Sequence, residues 1–572
     1  MKASDYIAHF LAGRGVRAVF EVSGGMITHL LDSMCRQGEL RIVSVHHEQA
    51  AAFAADAAGR MTGVPGVAMA TSGPGATNLL TGIASCFFDS SPAVFLTGQV
   101  NRNEQKGDRR IRQLGFQEAD IVAIASPVTK AAWKLESAGE LPARLREAFS
   151  VAAAGRPGPV LLDLPMDLQR ADIAEPDATG PAEDGFSLSP DASQVREALR
   201  HLQRATRPLV LAGGGIRASR AREPFRRLVE RLGIPVVHSL MGVDVLPYSH
   251  PLRVGMIGTY GNRWANTALG NSDCILVLGS RLDVRQTGSD TEAFRSGRDI
   301  IHVDCEAGEI NNRISGCRSI VCTLPEFLEL ATRLAETQEM GERGGWHDQI
   351  NAWRRQWPDT AELSPATGVN PNEFLHRLSK ASRQAAAYVV DVGQHQMWAA
   401  QSLELDEGQR FLTSGGLGSM GFALPAAVGV AVTANSPVVL IAGDGGFQCN
   451  IQELQTIVRN ALPVKMVVLN NRCHGMVRQF QESYFQQRYQ STLWGYDAPD
   501  FEKVALGYGI AARTVSDAAC ASSAAEWLWE DAGTPALLQV MVDTYANAFP
   551  KVAFGRPVTD MEPFVKPTPM DA

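Results

Sequence analysis

Buried-strand and helix patterns alternate along most of this chain. Residues 437–442 and 464–469 are apolar runs rich in β-branched side chains, which is typical of strands buried on both faces of a parallel sheet. Between them, residues 450–458 carry apolar side chains at helical spacing. This alternation predicts an α/β fold with parallel sheets.

The two patterns recur through the rest of the sequence and are interrupted twice. Further strands are predicted at residues 16–20, 40–45, 67–71, 208–212, 274–278, 299–303 and 387–390, and helices at 1–11 (with Ser4 as N-cap), 49–58 and 424–431. Residues 171–190 are rich in Pro, Gly and acidic side chains, and residues 336–365 are polar, which indicates two boundaries. We therefore predict three doubly wound parallel-sheet domains and a tail, at residues 1–175, 190–340, 365–555 and 556–572.

Composition narrows the function classes. The 572 residues are 45% hydrophobic and 20% charged with a net charge of −8, which argues against nucleic acid or an anionic membrane as a main partner. No apolar run approaches the roughly 20 residues that span a bilayer, and the N-terminus is not a signal peptide. Nine cysteines without a CxxC pair support neither a disulfide framework nor a zinc site. A cytoplasmic enzyme is expected.

Two polar clusters follow the buried strands described first. Asp444 lies in the turn Gly443-Asp444-Gly445-Gly446, and the pair Asn470-Asn471 ends the next strand. In a right-handed βαβ unit both clusters lie at the carboxyl edge of neighbouring strands. Oxygen ligands beside a glycine turn and a helix N-terminus suit a Mg²⁺ ion that holds a diphosphate. Each motif taken alone is equally consistent with an ordinary tight turn.

A third candidate is Glu48, which lies where a predicted strand passes into the alanine-rich segment 49–58. A carboxylate at this position has a structural explanation, because it interacts favourably with the helix N-terminus. Glycine turns at residues 72–75 and 414–421 likewise precede helices and leave backbone N–H groups free for a ligand.

Together these motifs resemble a known family. The GDG turn is followed, 24 residues later (446–469), by NN, which resembles the signature of thiamine-diphosphate enzymes. The strings HEQ (47–49), TSGPGATN (71–78) and GQHQMWAAQ (393–401) are similar to the acetolactate synthase catalytic subunit. The resemblance implies a pyrimidine-binding domain, a central nucleotide-binding-like domain and a diphosphate-binding domain, in that order.

The same resemblance assigns residues to three cofactors. It implies that Mg²⁺ is bound by the side chains of Asp444 and Asn471 and the backbone carbonyl of Cys473. It makes Glu48 the group that hydrogen-bonds N1′ of the aminopyrimidine, with Phe116 and Gln117 nearby. The implied thiamine-diphosphate contacts are Gly24, Gly73, Asn78, Gly393, Gln394, His395, Gly418, Met420, Gly445, Gly446 and Met476. The implied FAD contacts are Gly213, Gly214, Gly258, Arg281, Arg285 and Asp304.

The implied reaction decarboxylates pyruvate or another 2-oxo acid and transfers a two-carbon acyl-anion equivalent to an acceptor carbonyl. In the family the active site is shared between subunits, which implies a homodimer or homotetramer. Arg285 is retained on the acceptor side, but Met166 replaces a lysine, Phe480 a tryptophan and Val284 an aspartate. These changes, with Met476 nearby, favour a ketone, aldehyde or keto-sugar acceptor, as in yersiniose-type carboligases. True acetolactate synthesis and a non-catalytic scaffold remain the alternatives.

Overall fold

The computed structural model describes residues 1–174, 186–337, 341, 343–364 and 367–568. The described strands form three six-stranded parallel sheets and one antiparallel two-stranded hairpin, so the predicted α/β fold class is confirmed. The linker expected at 171–190 and the boundary at 336–365 lie partly outside the described residues. Within the described part, no helix is long and apolar enough to cross a membrane.

The first sheet contains β1 to β6. These are β1 (Ala18–Glu21), β2 (Arg41–Ser44), β3 (Gly66–Ala70), β4 (Ala93–Gln99), β5 (Ala131–Lys134) and β6 (Pro159–Pro165), in the order β2-β1-β3-β4-β6-β5. Its helices are α1 (Ala3–Gly13), α2 (Thr28–Gln37), α3 (Glu48–Thr62), α4 (Pro74–Asn78), α5 (Leu80–Asp89), α6 (Ile121–Ala125), α7 (Leu141–Ala153) and α8 (Met166–Gln169). Every residue of β3, β4 and β6 is buried, as expected of a sheet covered on both faces.

The second sheet has the strand order of a dinucleotide-binding fold. Its strands are β7 (Pro208–Ala212), β8 (Val236–His238), β9 (Arg253–Met256), β10 (Cys274–Leu278), β11 (Asp299–Asp304) and β12 (Arg318–Val321). Read as β9-β8-β7-β10-β11-β12, the order reverses between β7 and β10, where such sheets bind nucleotides. Its helices are α9 (Ala192–Arg204), α10 (Gly215–Ala218), α11 (Arg222–Leu232), α12 (Arg263–Asn271), α13 (Val284–Thr287), α14 (Thr291–Arg295), α15 (Leu324–Ala335) and α16 (Gly344–Gln356).

The third sheet repeats the strand order of the first. Its strands are β13 (Ala387–Val390), β14 (Arg410–Leu412), β15 (Val438–Gly443), β16 (Val464–Asn470), β17 (Ala511–Val515) and β18 (Ala536–Met541), in the order β14-β13-β15-β16-β18-β17. Its helices are α17 (Pro371–Ala381), α18 (Gln394–Ser402), α19 (Ala423–Ala434), α20 (Asp444–Cys449), α21 (Leu454–Arg459), α22 (Gly475–Tyr484), α23 (Phe501–Gly507) and α24 (Ala521–Trp527). The hairpin of β19 (Lys551–Val552) and β20 (Met561–Glu562) follows.

Helices α3 and α19 join the first and third sheets in one hydrophobic core. Their backbones approach so closely that a Cβ added at Gly429 would lie 2.2 Å from the carbonyl oxygen of Ala54. All residues of α3 from 50 to 59 are buried, although a surface helix would expose one face. The pair therefore fixes the position of Glu48, the first residue of α3.

Two local predictions need correction. Ser4 is not the N-cap of α1, because the N-cap is Lys2 and the Ser4 hydroxyl is buried as the acceptor of a 2.8 Å bond from Ser33. The helix predicted at 450–458 begins late: Ile451–Glu453 is a 3₁₀ turn, and α21 follows it. The break is at Asn450, whose side-chain amide donates to the carbonyl of Gly421 at 2.7 Å instead of facing solvent.

Candidate active site

The strand register brings the predicted metal ligands together. β15 and β16 pair so that Gly443 lies beside Leu469, which places Asp444 and Asn471 at adjacent carboxyl ends. The N–H of Cys473 donates to Oδ1 of Asn471 at 3.3 Å, so the third predicted ligand adjoins the other two. Asp444 is buried, and burial raises the pKa of its carboxyl to about 6. A divalent cation beside it would favour the ionised form.

The donor set of this cluster suits Mg²⁺. It consists of one carboxylate, one amide and one backbone carbonyl, all of them hard oxygen ligands. Among the described residues, no group of three or more His, Cys, Asp or Glu side chains could hold a metal. The candidate site here differs from such a group because it has a single carboxylate, which leaves coordination positions for the oxygens of a diphosphate.

Glycines and a buried histidine form a cradle at the same sheet edge. A Cβ at Gly393 or Gly443 would lie 2.6 or 2.8 Å from the ring of His395, and one at Gly446 would lie 3.0 Å from Asp391. Burial lowers the pKa of His395 to about 3, and its Nε2 has no hydrogen-bond partner in the described part of the chain. A buried nitrogen without a partner is unfavourable, and a diphosphate-bearing ligand at this cradle would satisfy it.

Gln394 is held by protein groups on several sides. Its Oε1 accepts a 3.1 Å bond from Asn471, and its Nε2 donates to Gln479 and to the carbonyl of Ala546 at 3.2 and 3.0 Å. These bonds tie α18 to the loop after β16. Gln394 therefore orients the amide of Asn471, in addition to any contact with a ligand.

Within the described part of the chain, Glu48 has one side-chain hydrogen-bond partner. Nδ2 of Asn78 donates to its Oε2 at 2.9 Å, while its Oε1 lies 3.3 Å from where a Cβ of Gly75 would be. Gly73 and Gln117 both have a φ of +64°, and a Cβ at Gly73 would lie 2.9 Å from the carbonyl oxygen of Gln117. A left-handed glutamine is an unfavourable conformation that commonly marks functional sites.

The remaining predicted contacts of the cofactor lie on three glycine turns and α22. A Cβ at Gly24 would collide with Thr71 at 2.4 Å, so only glycine fits there. Gly418 has a φ of +73° and open space around it, as a backbone surface for a flat ring requires. Cε of Met420 lies 3.2 Å from the position of a Cβ on Gly445, so Met420 adjoins the diphosphate cradle. Met476 is half-buried in the first turn of α22.

Within one chain, the start of α3 touches the third domain next to the metal cluster. Nδ2 of Asn450 donates to Gln49 at 3.3 Å, and the N–H of His46 donates to Glu453 at 2.9 Å. Among the described residues, no hydrogen bond joins Glu48 to the third domain. Phe116 is 79% exposed, although the resemblance places it in the active site.

The second sheet borders a crevice of about 1480 Å³, which residues of the first and third domains also line, among them Arg60 and Phe411. Its floor is the switch point between β7 and β10, where a Cβ at Gly213 would lie 2.0 Å from the carbonyl oxygen of Gly279. The predicted FAD residues Gly214, Arg281, Arg285 and Asp304 line it. A glycine floor at the switch point, arginines on the wall and an acid at the end of β11 suit a dinucleotide.

Three further predicted residues are Gly258 of the central domain and, on the acceptor side, Phe480 and Met166. Gly258 has a φ of +111°, and a Cβ there would lie 2.3 Å from the carbonyl oxygen of Arg285. Phe480 is 38% exposed, and its ring lies 4.9 Å from that of Tyr484 on the same helix. Met166 begins α8 and is half-buried. Met166, Phe480 and Arg285 lie on α8, α22 and α13, one helix in each of the three domains.

Sequence reasoning missed two residues of the site. Asp391 accepts from the N–H groups of Val392 and Gly421, at 2.6 and 3.0 Å, and so ties the end of β13 to the 414–421 turn. Its place directly after a buried strand was the available signal. Tyr496 donates its hydroxyl to Oδ2 of Asp444 at 3.1 Å from a loop without periodicity, so no sequence signal pointed to it.

The paired sheets, the cradle and the acid at the start of α3 define a thiamine-diphosphate enzyme. Family models named thiamine pyrophosphate enzyme match in three places: the N-terminal TPP binding domain at residues 1–124, the central domain at 195–330 and the C-terminal TPP binding domain at 391–540.

Similar proteins identify the family within the class of thiamine-diphosphate enzymes. The acetolactate synthase large subunit of Pyropia yezoensis is 36% identical over 97% of this chain and 94% of its own length. The isozyme 2 large subunit of Escherichia coli (strain K12) is 35% identical over 98% and 99%. The acetolactate synthase large subunit of Corynebacterium glutamicum is 36% identical over 98% of this chain and 90% of its own length. The chain therefore belongs to the acetolactate synthase family of thiamine-diphosphate-dependent enzymes that form carbon–carbon bonds.

Proposed function

We propose that this enzyme decarboxylates pyruvate or another 2-oxo acid and transfers the two-carbon unit to a ketone, aldehyde or keto-sugar carbonyl. The proposal rests on two residues of the acceptor side. Phe480, which is smaller than the tryptophan of the family, is partly exposed, and the uncharged Met166, where the family has a lysine, begins α8. Acetolactate synthesis is the second candidate, favoured by the exposed Arg285, which has no ion-pair partner among the described residues and suits a carboxylate. The non-catalytic scaffold is disfavoured because Glu48, Asp444 and Asn471 are all present.

Thiamine diphosphate, when bound, supplies an electron sink for the carbanion that decarboxylation leaves. The protein groups position it. Asp444, Asn471 and the carbonyl of Cys473 would hold Mg²⁺, and Gly445, Gly446 and His395 would face the diphosphate. Glu48 would hold a proton against N1′ of the aminopyrimidine, since the bond from Asn78 engages only its Oε2.

The wider assignments are part of the same proposal. The dinucleotide-sized crevice supports FAD, which a flavin absorption band in the purified protein would test. The domain limits 1–175, 190–340 and 365–555, with the tail 556–572, and a cytoplasmic location follow the sequence reasoning. A homodimer or homotetramer would complete the site with Glu48 of one subunit and Asp444 of the next.

The test begins with Glu48→Gln. Because glutamine cannot hold a proton against N1′, pyruvate decarboxylation should fall about 10²- to 10⁴-fold. Glu39→Gln, on the exposed surface, should leave the decarboxylation rate unchanged. Unchanged turnover in Glu48→Gln would refute the chemistry. Product analysis with pyruvate alone, then with added ketones and aldehydes, identifies the acceptor; acetolactate as the main product would establish the second candidate.

Co-expression tests the shared site. Glu48→Gln and Asp444→Asn should each be inactive alone. In a mixed dimer, one of the two sites would combine the intact Glu48 of the Asp444→Asn chain with the intact Asp444 of the Glu48→Gln chain. On random pairing half of the dimers are mixed, and each has one working site of two, so about a quarter of wild-type activity should return. No return of activity in a verified mixed dimer would show that one chain forms the whole site.

A further inference from the structure

We propose that Tyr496 is a positioning residue for the metal site: its hydroxyl holds one oxygen of Asp444, so that the other is presented to Mg²⁺. The inference rests on the proposed function. Among the described residues, Tyr496 is the one side chain that donates a hydrogen bond to this carboxylate, over 3.1 Å. The other donors to Asp444 are backbone N–H groups, including that of Cys473.

The ring of Tyr496 is placed by the metal segment itself. It packs on the imidazole of His474 with 4.2 Å between ring centroids. His474 in turn covers the glycine turn, because a Cβ at Gly445 would lie 2.8 Å from its ring. Tyr496 therefore reaches Asp444 across the residue that follows the predicted carbonyl ligand, Cys473.

The loop that carries Tyr496 is anchored to the same segment. The N–H of His474 donates to the carbonyl of Thr492 at 3.0 Å, and the Thr492 hydroxyl donates to Gln481 on α22 at 2.5 Å. Thr492 lies inside a tight turn of residues 491–494, in which the N–H of Ser491 donates to the carbonyl of Trp494 at 2.9 Å and Ser491 has a φ of +63°. A left-handed serine costs free energy, so the turn is held by its surroundings.

Orientation of a carboxylate ligand has a measurable effect. Ligating carboxylates are themselves hydrogen-bonded, and removal of such a partner typically weakens metal binding about 10- to 100-fold. A phenol that donates to a carboxylate makes a charge-assisted bond, stronger than one between neutral groups. Since no Lys or Arg pairs with Asp444 among the described residues, loss of the hydroxyl leaves the carboxylate without a side-chain partner.

The decisive variant is Tyr496→Phe, which keeps the ring on His474 and removes only the hydroxyl. The dissociation constant of Mn²⁺, measured by electron paramagnetic resonance with saturating thiamine diphosphate, should rise about 10- to 100-fold. Saturating Mg²⁺ should restore kcat, because the altered step is metal binding. The unfolding midpoint without metal should be unchanged, which a general folding defect would not allow.

Trp494→Phe is the matched control, because it alters the same loop at a ring that is 52% exposed and whose ring contact among the described residues is with Tyr489. Its Mn²⁺ affinity should equal that of the wild type. An unchanged or tighter affinity in Tyr496→Phe, or an equal loss in Trp494→Phe, would overturn the role of Tyr496 and leave the proposed function intact. Wild-type Mn²⁺ affinity in Asp444→Asn would instead overturn the metal site itself.

Discussion

The close contact between α3 and α19 gives a sharp prediction for Gly429→Ala. The added Cβ would lie 2.2 Å from the backbone oxygen of Ala54, which cannot rotate away as a side chain would. Overpacking of this kind costs about 1–3 kcal/mol, and the better helix propensity of alanine returns about 1 kcal/mol. The net expectation is a loss of up to about 2 kcal/mol, together with a displaced Glu48.

Differential scanning fluorimetry tests this value. A loss of 1 kcal/mol lowers Tm by about 2–4 °C in domains of 150–250 residues, so a fall of several degrees is expected. The matched control is Gly507→Ala at the end of α23, where an added Cβ meets nothing within 4 Å and propensity alone should raise Tm slightly. If Gly429→Ala were as stable as Gly507→Ala, the rigid helix contact would be refuted.

Two further predictions concern pH and the active site. Burial opposes protonation of His376, but bonds to Asp359 and Glu404, at 2.9 and 2.8 Å, outweigh it and raise its pKa. His376→Gln should therefore lower the free energy of unfolding most below about pH 6.5, the ordinary pKa of histidine. The loss should vanish as the pH rises through the pKa of His376 in the folded protein, and denaturant unfolding at several pH values would measure it. Gly75→Ala should lower both decarboxylation and Tm, because its Cβ would lie 3.3 Å from Oε1 of Glu48 and 2.9 Å from Cγ2 of Thr71; wild-type turnover would contradict this.

Buried strands were the most predictable part of the fold. The expected runs 208–212, 274–278 and 387–390 coincide with β7, β10 and β13. Central parallel strands are buried on both faces, so their apolar runs are continuous and end where the chain turns. The strand ends next to the active site differ from the predicted ends by a residue or two, because contacts distant in sequence determine the turns there.

The alanines of α3 show what local pattern could not reveal. Helix propensity predicts the helix but not its surroundings. A Cβ at Gly82 would lie 2.2 Å from that of Ala52, and one at Gly66 would lie 1.9 Å from the carbonyl oxygen of Ala55. Alanine is therefore needed here for its size, because helices and strands approach α3 from several sides. Packing of this kind has no period in the sequence.

The site residues were predictable as motifs, but their assembly was not. Phe116, Met420 and Phe480 come from different segments, and each leaves more than a third of its surface exposed in one chain. A site that stabilises a carbanion must exclude water. Apolar side chains that face solvent do not exclude water from the site. Exposed apolar side chains at both halves of a predicted site are the pattern expected of a contact with another subunit. The same side chains that a second copy would cover would then form the acceptor pocket, so acceptor choice would depend on pairing of subunits as well as on Phe480 itself.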